Sequence, residues 1–396
     1  MSLFGIVLTL ASAPILFSTT YLFVLTLFSR RLPAPGGRSE ETRFVVVVPA
    51  HQEELGIART VESLLAADYP KIARRVLVVA DNCTDATADR ARAAGANVLV
   101  RTDAEKRGKG YALAAAFENV LQDPKTDAVI VVDADTQVTP NLFRAYAARF
   151  DAGASAVQAG NAVANREASW RTRLMAIAFA IFNGLRSIAR ERLGLSCGLR
   201  GNGMAIRLAT LRAVPYDAFS IVEDLEYGIR LGRAGHRVWY AGEAQVLSEM
   251  VTTEKESRSQ RRRWEDGRRA LARAEGPSLV WGGIRQRSGL LFDLGMDLLV
   301  PPLSYLAVGA ALGLFMTFAA FASGLAGAAP LAVWASCVAM IGIYVARGVF
   351  LSGAGLRGFV DLMAAPVYVG WKLILRLRQG RSPAWVRTTR EGEKRS

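Results

Sequence analysis

Apolar positions along this chain follow two patterns. Between residues 43 and 138 they form short β-branched runs separated by polar loops, and near both ends they form long unbroken blocks. FVVVVPA (Phe44 to Ala50) has the continuous β-branched character of a strand buried on both faces. Pro49 ends it, and Gly56 to Ala67 then has helical periodicity. The alternation repeats: a strand over Arg75 to Cys83, a helix over Thr84 to Ala94, a short strand over Asn97 to Arg101, a helix over Tyr111 to Leu121, and a strand over Ala128 to Val132. Such alternation predicts an α/β domain with a parallel sheet covered by helices on both faces. Val157 to Ala164 predicts a further strand. Arg171 to Leu193 holds the apolar run MAIAFAIF between Arg171, Arg173, Arg186, Arg190 and Arg192. That basic fringe predicts a helix lying on a membrane surface rather than a buried one. Val280 to Leu294 predicts a second.

The end blocks are long enough to cross a bilayer, which takes roughly 20 apolar residues. Leu3 to Phe28 carries no charge; it lacks a basic n-region, and Arg30-Arg31 stand where a cleavage site would be. It therefore reads as a retained membrane helix, not a signal peptide. Leu298 to Ser323 and Ala326 to Leu351 predict two more crossings joined at Gly324 to Gly327. Phe359 to Leu375, broken by Asp361, Pro366 and Lys372, reads as interfacial or re-entrant, with Trp371 and Lys372 at headgroup level. Arg30, Arg31, Arg38 and Arg43 follow the first helix, and the tail carries Arg376, Arg378, Arg381, Arg387, Arg390, Lys394 and Arg395. Basic residues face the cytosol, so three crossings put both the middle domain and the tail there. The expected division is a membrane helix (1–29), a cytosolic α/β domain (43–275), an interfacial helix (276–297), two membrane helices (298–352) and an interfacial segment with a basic tail (353–396). The expected location is the inner (plasma) membrane, multi-pass.

The net charge of +14 fits an anionic cytosolic leaflet. No helix-turn-helix or RNP-type pattern points to nucleic acid. Cys83, Cys197 and Cys337 stand apart with no CxxC, and His51 and His236 are too few for a histidine metal centre. Any metal must be held by oxygen.

Acids mark the strand ends, where open α/β sheets bind ligands. Glu53 follows the first strand, Asp81 ends the second, and Asp133 and Asp135 follow the fourth in VIVVDADTQV. Asp85 and Asp103 read equally as turn or capping residues. Two carboxylates one residue apart repel unless a cation lies beside them. Mg²⁺ or Mn²⁺ takes one or two carboxylates plus substrate phosphates and would neutralise a departing diphosphate. In RGKGYALAAAF, Lys109 sits between two glycines at the start of a helix, either as part of a solvated turn or facing a phosphate. In FSIVEDLEYGIRL, Glu223, Asp224 and Glu226 open an amphipathic helix. They can be ordinary dipole complements, or Asp224 can be a general base that takes a proton from an acceptor hydroxyl. SQRRRWEDGRR supplies either an interfacial anchor or Arg263 facing a diphosphate and Trp264 stacking on a sugar. Gly201-Asn202-Gly203 is a tight polar turn that lets an acceptor approach.

The ordered set PAHQEE, ADNCTD, RGKG, DAD, GNG, VED and QRRRW resembles the membrane-bound family 2 glycosyltransferases, which have a GT-A fold. Cellulose, hyaluronan and poly-N-acetylglucosamine synthases and ceramide glucosyltransferases belong to that group. The resemblance covers roughly Phe44 to Arg269. It implies that Pro49, His51, Glu53, Asp81, Lys109, Asp133, Ala134 and Asp135 bind a nucleotide sugar, with Glu53 and Asp81 on the uridine. It implies Asp135, with Asp133, as metal ligand and Asp224 as base. Gly201, Asn202, Glu223, Gln260, Arg263 and Trp264 would line the diphosphate and the acceptor. The implied reaction inverts the anomeric centre in a single displacement. His51-Gln52 replace a more usual Tyr-Asn, Val222 a Thr before Glu-Asp, and Met250 a frequent Pro.

The resulting expectation is transfer from a UDP-sugar to an envelope or extracellular polysaccharide. The alternatives are a lipid acceptor, giving a glycolipid, and a non-catalytic sugar-nucleotide-binding membrane protein. Three crossings make a poor channel, so an export partner or a homo-oligomer is a further expectation.

Overall fold

The computed structural model describes residues 2–36, 40–250 and 254–363, with the backbone alone at 254–263. Arg38, residues 364–375 (with Trp371 and Lys372) and the basic tail lie outside the described residues, as do the side chains of Gln260 and Arg263.

Two helices open the chain, α1 (Leu3–Ala11) and α2 (Ala13–Leu27), bent by 44° at Ser12. The single expected crossing is broken there because Pro14 sits in the first turn of α2, where its missing N–H and its ring favour a fresh helix start. The α/β region follows: β1 (Phe44–Ala50), α3 (Ile57–Ala66), β2 (Arg74–Asp81), α4 (Thr87–Ala93), β3 (Asn97–Arg101), α5 (Lys109–Leu121), β4 (Ala128–Val131), β5 (Thr136–Val138), α6 (Leu142–Asp151) and β6 (Ala156–Val163). Next come α7 (Trp170–Phe179), a wide π-helical turn (Ala180–Leu185), α8 (Arg186–Arg192), β7 (Met204–Arg207), α9 (Leu208–Ala213), α10 (Glu223–Arg233) and β8 (Val238–Ser248). The C-terminal helices are α11 (Glu254–Arg285), α12 (Gly289–Leu299), α13 (Leu303–Ala322), α14 (Ala328–Ser352) and α15 (Gly355–Leu362).

Among the described residues, eight strands form one sheet in the order β3-β2-β1-β4-β7-β6-β8-β5. β1 to β4 are parallel, as the alternation predicts. The sheet as a whole is mixed, because β7 runs antiparallel to both β4 and β6, and β5 antiparallel to β8. The expected parallel sheet is extended here by antiparallel pairings: β5, β7 and β8 are short or polar strands that lack the continuous β-branched run of β1. Both faces are covered. Phe44, Val46, Val48 and Ile130 pack into one core, and Val45, Val47, Val129 and Val131 into the other. A pleated strand points alternate side chains to opposite faces, so a continuous valine run fills both layers. Each buried Val contributes about 1.5–3 kcal/mol.

α13 and α14 are the two described helices long and apolar enough to cross a membrane, or three spans if the bent α1–α2 pair counts as one. The expected start at Leu298 is corrected to Leu303, because Leu298 lies in the last turn of α12 and Pro301-Pro302 intervene. The single helix expected over Val280 to Leu294 is divided between α11 and α12, with Arg287 at φ 52 in the turn. The boundaries expected at 275/276 and 297/298 fall inside α11 and α12. The surface helix expected over Arg171 to Leu193 is also corrected. Arg186 and Arg190 are almost wholly buried, in ion pairs with Asp297 and Asp293, which the local pattern could not reveal.

Candidate active site

The loops after β1 and β2 knit into one wall. His51 Nδ1 lies 2.7 Å from the Asp81 carbonyl oxygen, and the Glu53 N–H donates to Thr87 Oγ1 at 2.8 Å. Gln52, at φ 57, accepts from the N–H groups of Thr84 and Asp85. Asp81 is buried and accepts from Arg101 Nη1 at 2.6 Å. Arg101 was missed in the sequence. Its signal lies in the register that pairs Asp81 with Arg101 across β2 and β3. Asp85 accepts from the Thr87 and Glu54 N–H groups at the start of α4, and Asp103 from those of Glu105 and Lys106. Both are turn residues here.

The DAD segment sends its two carboxylates to different places. Asp133 pairs with Lys109, Nζ to Oδ1 at 2.6 Å. Asp135 lines a small cavity with Gly56, Thr60, Gln137 and Glu249. Between them Ala134 is buried, its carbonyl accepting from Thr60 Oγ1 at 2.8 Å, which ties α3 to the segment. The cation beside Asp133 is therefore the Lys109 ammonium. Among the described residues no three His, Cys, Asp or Glu side chains converge on a point. A hard divalent cation would thus draw on Asp135 with diphosphate oxygens and water, a donor set that Mg²⁺ accepts, and Asp133 would join it only by giving up Lys109.

Lys109 joins this segment to the next two motifs. Its ammonium also donates to the Gly201 carbonyl at 2.7 Å and lies 3.8 Å from Glu223 Oε1. Burial alone would lower its pKa, but Asp133, Glu223 and Asp224 outweigh burial and hold it raised and charged. Asn202 accepts from the Asp133 N–H at 3.1 Å and donates to Thr136 and Ser248. Gly201 stands at φ +72, and a Cβ there would come within 3.1 Å of Asp224 Oδ2. A side chain at Gly201 would therefore crowd Asp224 on a backbone that only glycine adopts freely. Asp224 Oδ1 accepts from the Leu225 N–H at 2.8 Å, while Oδ2 faces this turn. Burial raises the Asp224 pKa against the pull of Lys109, and burial pushes the neighbouring Glu223 to about 7.

α11 docks onto the same motif. A Cβ on Gly267 would lie 2.6 Å from Ile221 and 3.0 Å from Val222, just before Glu223. Trp264, one turn earlier, is exposed. The structure thus brings together His51, Glu53, Asp81, Ala134, Asp135, Asp133, Lys109, Gly201, Asn202, Glu223 and Asp224 in one linked series, with Trp264 on the helix beside it. Pro49 is the penultimate residue of β1, at its edge.

These residues sit on the loops of a sheet that has the GT-A fold. Residues 42–267 match the family described as Glycosyltransferase like family 2, and the chain belongs to it. The beta-monoglucosyldiacylglycerol synthase of Synechocystis sp. is 31% identical over 231 residues, 56% of this chain and 47% of that protein. The probable glycosyltransferase YdaM of Bacillus subtilis is 27% identical over 250 residues, 61% of this chain and 59% of that protein. The chain thus spans about half the length of the curated relatives it matches. A mannosyltransferase from Pyrobaculum calidifontis, solved with GDP-Man and Mn²⁺, shares the fold at TM-score 0.53 and 17% identity, over 87% of this chain and 97% of that one.

Proposed function

We propose that this glycosyltransferase moves a sugar from a UDP-sugar to the hydroxyl of a membrane lipid at the cytosolic face of the inner membrane, with inversion. What carries the reading is the juxtaposition of Asp224 with Gly201, Lys109 and Asp133. Asp224 takes the proton as the acceptor oxygen attacks the anomeric carbon, and the electron pair of the broken C1–O bond leaves with UDP. Lys109 offers fixed positive charge to the departing diphosphate. When bound, a Mg²⁺ or Mn²⁺ on Asp135 supplies further charge neutralisation there. Glu53 and Asp81 hold the uridine end with Pro49 and His51, and Trp264 lies at the acceptor end. A lipid acceptor is favoured over a polysaccharide because the Synechocystis relative is named for one and because the two or three candidate spans among the described residues offer little wall for a polymer channel.

The test is a donor and acceptor screen on the full chain in nanodiscs, reading UDP release and product mass. One sugar added to a lipid is expected, and a ladder of products would restore the polysaccharide reading. Asp224→Asn should abolish transfer and spare UDP binding. Normal turnover in that variant would remove Asp224 from the mechanism.

A further inference from the structure

Four guanidiniums gather between the site and the candidate spanning helices, around two carboxylates. Arg190 bridges Asp293 and Asp297 at 2.8 Å each, and Arg186 meets Asp297 at 3.1 Å. Arg268 reaches the second Asp297 oxygen at 3.3 Å, and Tyr21 of α2 donates to Asp293 at 2.7 Å. Every carboxylate oxygen is thereby engaged. Among the described residues Arg200 pairs with no carboxylate: its Nη2 donates to the Cys197 carbonyl, and its buried Nε has no hydrogen-bond partner.

Three of these cations converge on one ring. The Cζ atoms of Arg200, Arg186 and Arg268 lie 4.6, 4.8 and 5.2 Å from the centroid of Phe182, in the π-helical turn. A ring face contributes about 1–2 kcal/mol per cation, whereas desolvating an ion costs several. Burial accordingly lowers the pKa of both Arg200 and Arg268, despite Asp297. Arg200, Arg268 and Phe182 are mostly but not wholly buried, and the Arg268 side chain keeps 19% of its surface exposed. Arg200 directly precedes Gly201, which faces Asp224. Ile181 and Leu185, flanking Phe182, pack with Leu22, Leu25, Tyr344 and Val349 of α2 and α14.

We propose that Arg200 and Arg268, on the ring of Phe182, form a subsite for a phosphate oxyanion carried by a membrane lipid, beside Asp224. This deepens the lipid-acceptor reading and rests on it. A guanidinium fork matches phosphate geometry, and an anion restores charge balance to a cluster in which cations outnumber carboxylates. The donor's phosphates are assigned to Lys109 and the DAD segment, and the spanning helices that border the cluster deliver lipid.

The experiment uses the full chain in phosphatidylcholine nanodiscs, with Arg200→Gln and Arg268→Gln. Each variant removes a cation from the excess, and Asp297 keeps Arg186 and Arg190, so neither strands a carboxylate. Transfer to phosphatidylglycerol is compared with transfer to diacylglycerol, the latter with and without phosphatidic acid, which has no hydroxyl to accept sugar. Preference for phosphatidylglycerol places the phosphate on the acceptor. Activation of diacylglycerol transfer by phosphatidic acid places it on a neighbouring lipid. In either case each variant should weaken the effect about ten-fold or more, with UDP affinity unchanged. Wild-type indifference to both lipids, or variants that weaken UDP binding instead, would overturn the subsite. If the wild type transfers sugar to nothing, the lipid-acceptor reading fails by itself. A rise in Tm with phosphatidic acid that Arg200→Gln abolishes and Arg200→Lys restores would still support the subsite, and no rise would remove it.

Discussion

Replacing Glu223 with Gln should stabilise the protein at neutral and alkaline pH. The Glu223 side chain is 10% exposed, close to Lys109 and next to Asp224. Burial, reinforced by the Asp224 charge, lifts its pKa from 4.5 to about 7, the Lys109 ammonium only partly opposing. The folded state therefore holds a proton that the unfolded chain releases. Stability from this group is complete below about pH 4.5 and is lost progressively as pH rises to about 7. A shift of this size corresponds to about 3 kcal/mol at pH 8. Glutamine keeps the shape and removes the titration. The assay is Tm of the solubilised full chain from pH 4.5 to 8.5, wild type against Glu223→Gln. The variant should match the wild type in acid and draw ahead as pH rises. Parallel curves across the range would refute the reasoning, since they would mean that Glu223 ionises at the same pH folded and unfolded.

Three further outcomes are expected. Gly201→Ala forces a non-glycine into φ +72 and crowds Asp224 Oδ2; it should cost about 1–2 kcal/mol and cut transfer with UDP binding retained, as equilibrium unfolding and turnover would read. Asp81→Asn breaks a buried pair with Arg101, and because Asp103 still holds Arg101 at 3.0 Å the loss should be about 3 kcal/mol, accompanied by weaker UDP binding in calorimetry. Excess EDTA should stop UDP-sugar turnover and added Mn²⁺ should restore it; full activity in EDTA would exclude the metal role given to Asp135.

Local patterns carried much of the architecture. The valine run of β1 spells out a strand buried on two faces, and its neighbours β2 to β4 follow from the same rule. The acids at those strand ends were visible because a charge closing an apolar run is conspicuous. The antiparallel strands were not: Met204–Arg207 and Thr136–Val138 are too short to show a period. Nor was the burial of Arg186 and Arg190, because a guanidinium looks solvated until its carboxylate is known, and Asp297 lies more than a hundred residues away.

The sequence by itself determined the parallel half of the sheet, the apolar helices long enough to span a bilayer, and the residue types available for sugar-nucleotide chemistry, because periodicity and side-chain chemistry are local properties. Only the tertiary structure decided which charges meet. Lys109 answers Asp133, Arg101 answers Asp81, and Arg200 answers no carboxylate among the described residues. Electrostatic energy depends on distance and burial, and both are set by how remote segments pack.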